Sequence, residues 1–150
     1  MNPLDLARPD IRAMQPYSSA RMEVRGGIVW LNANESPWPP HRGAAGWNRY
    51  PDPQPAALAA CLAGLYGIEP DQLLVGRGSD EGIDLLARAF CAANRDSILI
   101  SPPTFGMYAT CARVQGAGIV EVPLGRDFTL DGDAVLAAMT PAVKLVFVCS

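Results

Sequence analysis

Residues that could do chemistry gather at a few places in this sequence, first of all at Val75-Gly76-Arg77-Gly78-Ser79-Asp80-Glu81-Gly82. An apolar run, Leu73 to Val75, enters this stretch, and Ile83, Leu86, Ala87, Phe90 and Cys91 follow it at helical spacing. A strand that turns through glycines into a helix N-terminus presents free backbone N–H groups and the positive end of a helix dipole, which together favour an anion. Gly78 frees the backbone for the turn, and Gly82 leaves the second helical turn bare for a close approach. A purely structural reading stands beside this one. Ser79 caps the helix, and Asp80 and Glu81 complement its dipole, each by about 0.3–1 kcal/mol with no ligand involved. The pattern does not match G-x-x-x-x-G-K-[ST], and G-x-G-x-x-G lacks its last glycine.

Pro102-Pro103-Thr104-Phe105-Gly106-Met107-Tyr108 follows directly on an apolar strand pattern, so it emerges at the same sheet edge as the glycine turn. Phe105 could stack there on a planar ligand ring, a contact of about 0.5–1.5 kcal/mol beyond burial; alternatively Phe105 and Tyr108 form an i, i+3 core pair. Tyr50, between Arg49 and Pro51, lies in an extended run with no helical face to hide in, and either reaches a ligand or partner or packs locally. Lys144 is the only lysine and begins a strand at the opposite edge, which reads as a solvated strand end and not as a covalent lysine. His41 is the only histidine, so a His-based metal cluster or a Ser-His-Asp triad within this chain is excluded, and no metal site is expected. Cys61, Cys91, Cys111 and Cys149 are far apart and read as reduced core thiols.

Alternating elements must position these residues. Helix Pro55 to Tyr66 carries Leu58, Leu62 and Leu65 on one face and closes at Gly67. A strand over Gln72–Val75 leads into a helix from Ser79 to Ala93, closed by Asn94. Strand Ser97–Ser101, helix Thr104–Val114, strand Ile119–Val122, a helix over Ala134–Met139 capped by Asp131, and a buried central strand Val143–Cys149 complete the series. Strand and helix in alternation predict an α/β domain with a mostly parallel sheet and flanking helices. Upstream, residues 1–27 read as an arm that needs a surface to lie on. Ile28–Leu31 is a short strand, and the proline-rich segment after it is an ordered loop gathering Trp30, Trp38 and Trp47.

With 150 residues, 49% of them hydrophobic and 18% charged, the chain can bury one core. Its net charge of −3 and scattered arginines argue against nucleic acid as a partner. The first residues, with Asp5, Arg8, Asp10 and Arg12, form neither a signal peptide nor a membrane span, so a cytoplasmic location is expected.

Taken together, these motifs resemble the histidinol-phosphate aminotransferases, of the fold type I pyridoxal-phosphate enzymes. The resemblance is carried by Pro16-Tyr17 with Ser19-Ala20-Arg21, Leu31-Asn32-Ala33-Asn34-Glu35, Asn48-Arg49-Tyr50-Pro51, Arg77 to Gly82 with Leu85 to Phe90, Pro102 to Tyr108, and Val146 to Ser150, in family order across nearly the whole chain. It implies that Gly78, Ser79 and Asp80 bind the phosphate of pyridoxal 5'-phosphate through backbone N–H groups and that Phe105 stacks on the pyridine. It further implies that Tyr50 reaches the neighbouring subunit's cofactor phosphate in a homodimer, and that Tyr17 and Asn34 lie near the substrate. The implied reaction is transamination between histidinol phosphate and 2-oxoglutarate in histidine biosynthesis. Residues 1–50 would then be an arm with a small-domain and dimer-contact segment, and residues 51–150 an incomplete large domain.

The family's cofactor-binding asparagine and aspartate, Schiff-base lysine and substrate-clamping arginines would follow Ser150. The chain is therefore expected to be an N-terminal fragment with no catalytic residue of its own. An aromatic aminotransferase or a phosphothreonine decarboxylase shares the fold and stays open as a reading. So does a non-catalytic α/β module that binds a nucleotide or phosphorylated metabolite through the glycine turn.

Overall fold

Three short, largely apolar segments build a parallel sheet, which helices cover on both faces. The computed structural model describes residues 2–18, 20–23, 29, 31–44 and 46–150, apart from the side chains of Ala20 and Arg21. Ser19, and Ile28 and Trp30 of the strand expected at Ile28–Leu31, lie outside the described residues. In chain order the elements are a 3₁₀ turn Pro3–Leu6, α1 (Pro9–Arg12), α2 (Ala20–Glu23), α3 (Ala56–Tyr66), a 3₁₀ turn Pro70–Gln72, α4 (Ser79–Phe90) and β1 (Ser97–Ile100). They continue with α5 (Met107–Gln115), β2 (Gly118–Glu121), α6 (Gly132–Ala138) and β3 (Val143–Phe147). The chain divides into two compact units, Met1–Met14 with Gly76–Ser150, and Gln15–Val75. The family resemblance implies a functional division at residue 50.

In the first unit the strand order is β2-β1-β3, all parallel. Side chains alternate across β1. Ile98 and Ile100 join Cys91, Ala112 and Ala117 beneath α4 and α5, while Leu99 joins Val122 and Val143 with Ala134, Val135 and Ala138 of α6. Covering both faces is what lets a parallel sheet exclude water. Ile98 and Leu99 are fully buried, each worth about 1.5–3 kcal/mol of apolar transfer as an upper estimate.

Three expectations need correction here. The central strand is β1; β3 forms an edge of the described sheet, and Val146 is 38% exposed. No strand forms over Gln72–Val75, because a side chain takes the place of a ladder partner: Gln54 Oε1 accepts the Val75 N–H at 2.9 Å and Gln54 Nε2 donates to the Val75 carbonyl at 3.1 Å. Leu58 and Leu65 of α3 are exposed, and the residues this helix buries are Ala59 and Ala63. An Ala- and Leu-rich helix is apolar all round, so its periodicity could not choose a face.

The arm finds its surface at the C-terminal end of α4. Arg8 donates its backbone N–H to the Ala89 carbonyl at 2.9 Å and Nη1 to the Arg88 carbonyl at 3.0 Å, while Cys91 N–H takes the Ala87 carbonyl. Carbonyls that the last helical turn leaves without partners are thus satisfied, and the guanidinium meets the negative end of the dipole. An ion pair with Asp10 holds Arg8 in place.

Asp131 caps α6 as expected, accepting the Ala134 N–H at 2.9 Å. Cys91 and Cys111 are buried and burial raises both thiols, whereas Cys61 and Cys149 are exposed; all are free. Trp38 and Trp47 do not gather a core in their loop. They are 75% and 76% exposed, and among the described residues the one ring Trp47 meets is that of His41, edge-on.

Candidate functional site

At Gly78 the backbone takes φ 117° and ψ 176°, a conformation open essentially only to glycine, and the chain passes from there straight into α4. Gly78 is thereby the N-cap residue, and no side chain caps the helix. Ser79, expected to be the cap, is instead its first residue. Among the described residues no acceptor meets the backbone N–H of Gly78, Ser79, Asp80 or Glu81. Nothing lies within 4 Å of where a Cβ would stand on Gly78 or on Gly82. Open space beside unpaired donors is what a phosphate requires.

Glu81 reaches back over the turn. Its Oε2 accepts the Arg77 N–H at 2.7 Å, and its Oε1 accepts from the Arg77 guanidinium at 3.0 and 2.6 Å. The Arg77 side chain, and then its backbone N–H, hold the Glu81 carboxyl below the usual carboxylate range; the same contact raises Arg77. With Asp80 beside it, the turn carries more carboxylate than guanidinium, so its side chains alone would repel an anion. Attraction must come from the backbone donors and the dipole, worth up to about 2 kcal/mol in favourable geometry.

Helix α4 packs against α5 and β3, and the second turn of α4 meets Phe147 at the carboxyl end of the sheet, the end from which β1 also emerges. There the chain leaves through Pro102–Phe105, with a cis Pro102–Pro103 peptide. Ile83, in the second turn of α4, clusters with Ala87 and Cys111, and Met107, Tyr108 and Phe147 pack against them. Tyr108 stacks on Phe147 with centroids 4.6 Å apart and planes at 10°, and Phe105 meets Tyr108 edge-on at 5.6 Å and 86°. Phe105 and Tyr108 are thus an i, i+3 pair in which Tyr108 braces its neighbour, and yet 43% of Phe105 remains exposed. Burial, and then the neighbouring Cys149, raises the Tyr108 hydroxyl. Thr104 Oγ1, in the same loop, is buried with no hydrogen-bond partner among the described residues, a feature sequence reasoning did not single out.

Tyr50, Asn34 and Tyr17 belong to the other unit. Ala33 and Asn34 adopt left-handed φ values of 59° and 52°, a tight reversal that asparagine tolerates better than alanine. Next to them Glu35, its side chain only 1% exposed, accepts the Tyr50 N–H at 2.8 Å through Oε1 and pairs with Arg49 Nη1 at 2.8 Å through Oε2. Asn48 Nδ2 adds a 2.8 Å bond to the Ser36 carbonyl. The two motifs are therefore laced together, and Tyr50 is left 62% exposed. Tyr17 is 84% exposed. Lys144 lies in the bulge of β3 at the far edge of the sheet, its Nζ 2.6 Å from the Pro141 carbonyl and 4.0 Å from Asp96. Among the described residues no group of His, Cys, Asp or Glu is arranged to hold a metal ion, and no helix is long and apolar enough to cross a membrane.

A parallel α/β sheet with a glycine turn before α4 and an aromatic after β1 is matched by the family model for aminotransferase class I and II over residues 28–150. The chain belongs to the class I and II aminotransferases. It is similar to the histidinol-phosphate aminotransferase of Xanthomonas axonopodis pv. citri (strain 306), at 56% identity over 152 residues, and to that of Stenotrophomonas maltophilia (strain R551-3), at 55%. These alignments take in 98% of this chain and 42% of each relative, so the chain spans less than half the length of the proteins it matches. Among solved structures, the N-succinyldiaminopimelate aminotransferase of Mycobacterium tuberculosis superposes with a TM-score of 0.57 at 31% identity, over 69% of this chain and 29% of that one. Aminotransferases of this class work with pyridoxal 5'-phosphate, and the donors at Gly78–Glu81 and the braced Phe105 ring fit its phosphate and its ring.

Proposed function

We propose that this chain is part of a histidinol-phosphate aminotransferase, transferring an amino group between histidinol phosphate and 2-oxoglutarate in histidine biosynthesis. The observation that carries the reading is that 56% identity extends over 98% of the chain, taking in the phosphate turn, the Phe105 loop and the Tyr50 segment together. In this reading the N–H groups of Gly78, Ser79 and Asp80 hold the cofactor phosphate, and Phe105 lies against its ring. Tyr50 extends to the cofactor phosphate of the neighbouring subunit in a homodimer, and Tyr17 and Asn34 border the substrate. When bound, pyridoxal phosphate supplies the electron sink for proton removal next to the amine. What these 150 residues contribute is placement: charge-assisted hydrogen bonds fix the phosphate, and a braced aromatic fixes the tilt of the ring. Residues 1–50 act as arm and dimer contact, residues 51–150 belong to the cofactor-binding large domain, and the enzyme works in the cytoplasm.

The test is substrate turnover by the full-length protein loaded with pyridoxal phosphate. Histidinol phosphate with 2-oxoglutarate is expected to give glutamate with a higher kcat/KM than phenylalanine or tyrosine, and phosphothreonine is expected to release no carbon dioxide. Preference for an aromatic amino acid, or decarboxylation of phosphothreonine, would replace this reading. The 150-residue chain alone is expected to show no transamination, since its only lysine is held at the far edge of the sheet.

A further inference from the structure

Tyr50 poses a physical problem: an exposed aromatic on a proline-rich, extended segment has no helix or strand of its own to aim it. The structure solves this from a distance. Glu35 stands 15 residues upstream, and its carboxylate accepts the Tyr50 backbone N–H at 2.8 Å. Its other oxygen holds Arg49, the residue before, at 2.8 Å. Pro51 restricts Tyr50 from the following side. The backbone of Tyr50 is pinned on both flanks while its ring remains free to contact something outside its own unit. A carboxylate 1% exposed is costly to bury, and here it serves the two residues that aim Tyr50.

We propose that Glu35 is a positioning residue for cofactor binding: by holding the backbone of Tyr50 and the side chain of Arg49, it directs the Tyr50 hydroxyl onto the cofactor phosphate. The inference rests on the role given to Tyr50 above. In this role Glu35 acts through Arg49 and Tyr50 and is assigned no contact of its own with cofactor or substrate. Its effect on the cofactor must therefore pass through the Tyr50 hydroxyl, and without that hydroxyl there is nothing left to position.

This dependence defines the test, a double-mutant cycle in the full-length protein: wild type, Glu35→Gln, Tyr50→Phe and the double variant. Each apoprotein is titrated with pyridoxal phosphate, with the melting temperature of the apoprotein followed alongside. Tyr50→Phe, losing a charge-assisted hydrogen bond, is expected to weaken binding about tenfold, and Glu35→Gln to weaken it by a comparable factor. The double variant should bind no more weakly than Tyr50→Phe. If the losses multiply, or Glu35→Gln leaves affinity unchanged while Tyr50→Phe lowers it, Glu35 is merely structural and the inference fails alone. If Tyr50→Phe has no effect on affinity, the role given to Tyr50 fails and the inference falls with it. Should Glu35→Gln not fold, Glu35→Asp keeps the charge but shortens the reach, and the same cycle with that variant separates the same outcomes.

Discussion

Gly78 concentrates the residue-scale argument, because its backbone is strained for any residue with a side chain although space beside it is open. Gly78→Ala should therefore cost about 1–3 kcal/mol of stability through the backbone alone. Gly82→Ala, inside α4 and equally uncrowded, should be neutral or stabilising by up to about 1 kcal/mol. Urea unfolding of both variants would measure the contrast, and equal effects would contradict it. The glycine turn was legible in the sequence because turn chemistry is local: a few adjacent residues state it. The cap was misplaced by one residue, since serine is the usual cap and only the φ of Gly78 reveals that glycine holds that position. Glu35 could not have been found in this way. Its partners lie 14 and 15 residues downstream, and no local pattern joins a carboxylate to an N–H across a proline-rich loop.

At the scale of elements, α4 has a charged device at its start that responds to pH. Arg77 lowers the Glu81 carboxyl in the folded chain, so the contribution of Glu81 to stability is fully present above the ordinary carboxylate range. It is lost as pH falls through the lowered value. Glu81→Gln should accordingly be less stable than the parent at neutral pH, with the difference shrinking as the solution is acidified; unfolding curves at several pH values would reveal a constant difference if this is wrong. The strands that pair were readable as short apolar, β-branched runs, and their helices from period and flanking breakers. The segment before the glycine turn was not, because Gln54 supplies with one amide the hydrogen bonds that a strand would have shared. Gln54→Ala should cost about 1 kcal/mol and speed amide exchange at Val75, with little change in the sheet. Unchanged exchange at Val75 would show that the bridge does not protect it.

For the whole molecule, the class of fold was already stated by the alternation of strand and helix, and the matching residues 28–150 bear it out. What alternation could not show was the role of the arm, whose residues have no period and whose first segment is tied to α4 through Arg8. That side chain closes the carbonyl end of the same helix whose amino end forms the phosphate turn. The consequence concerns how the gene is read. A translation start chosen at Met14, or an affinity tag that draws the first residues away, removes no residue assigned to cofactor or substrate. Yet it uncaps α4, and a full-length protein lacking residues 1–14 should bind pyridoxal phosphate more weakly in a direct titration. Unaltered binding would show that the turn does not depend on the far end of its helix. An investigator meeting a weak holoenzyme would do well to inspect the chosen start codon before the active site.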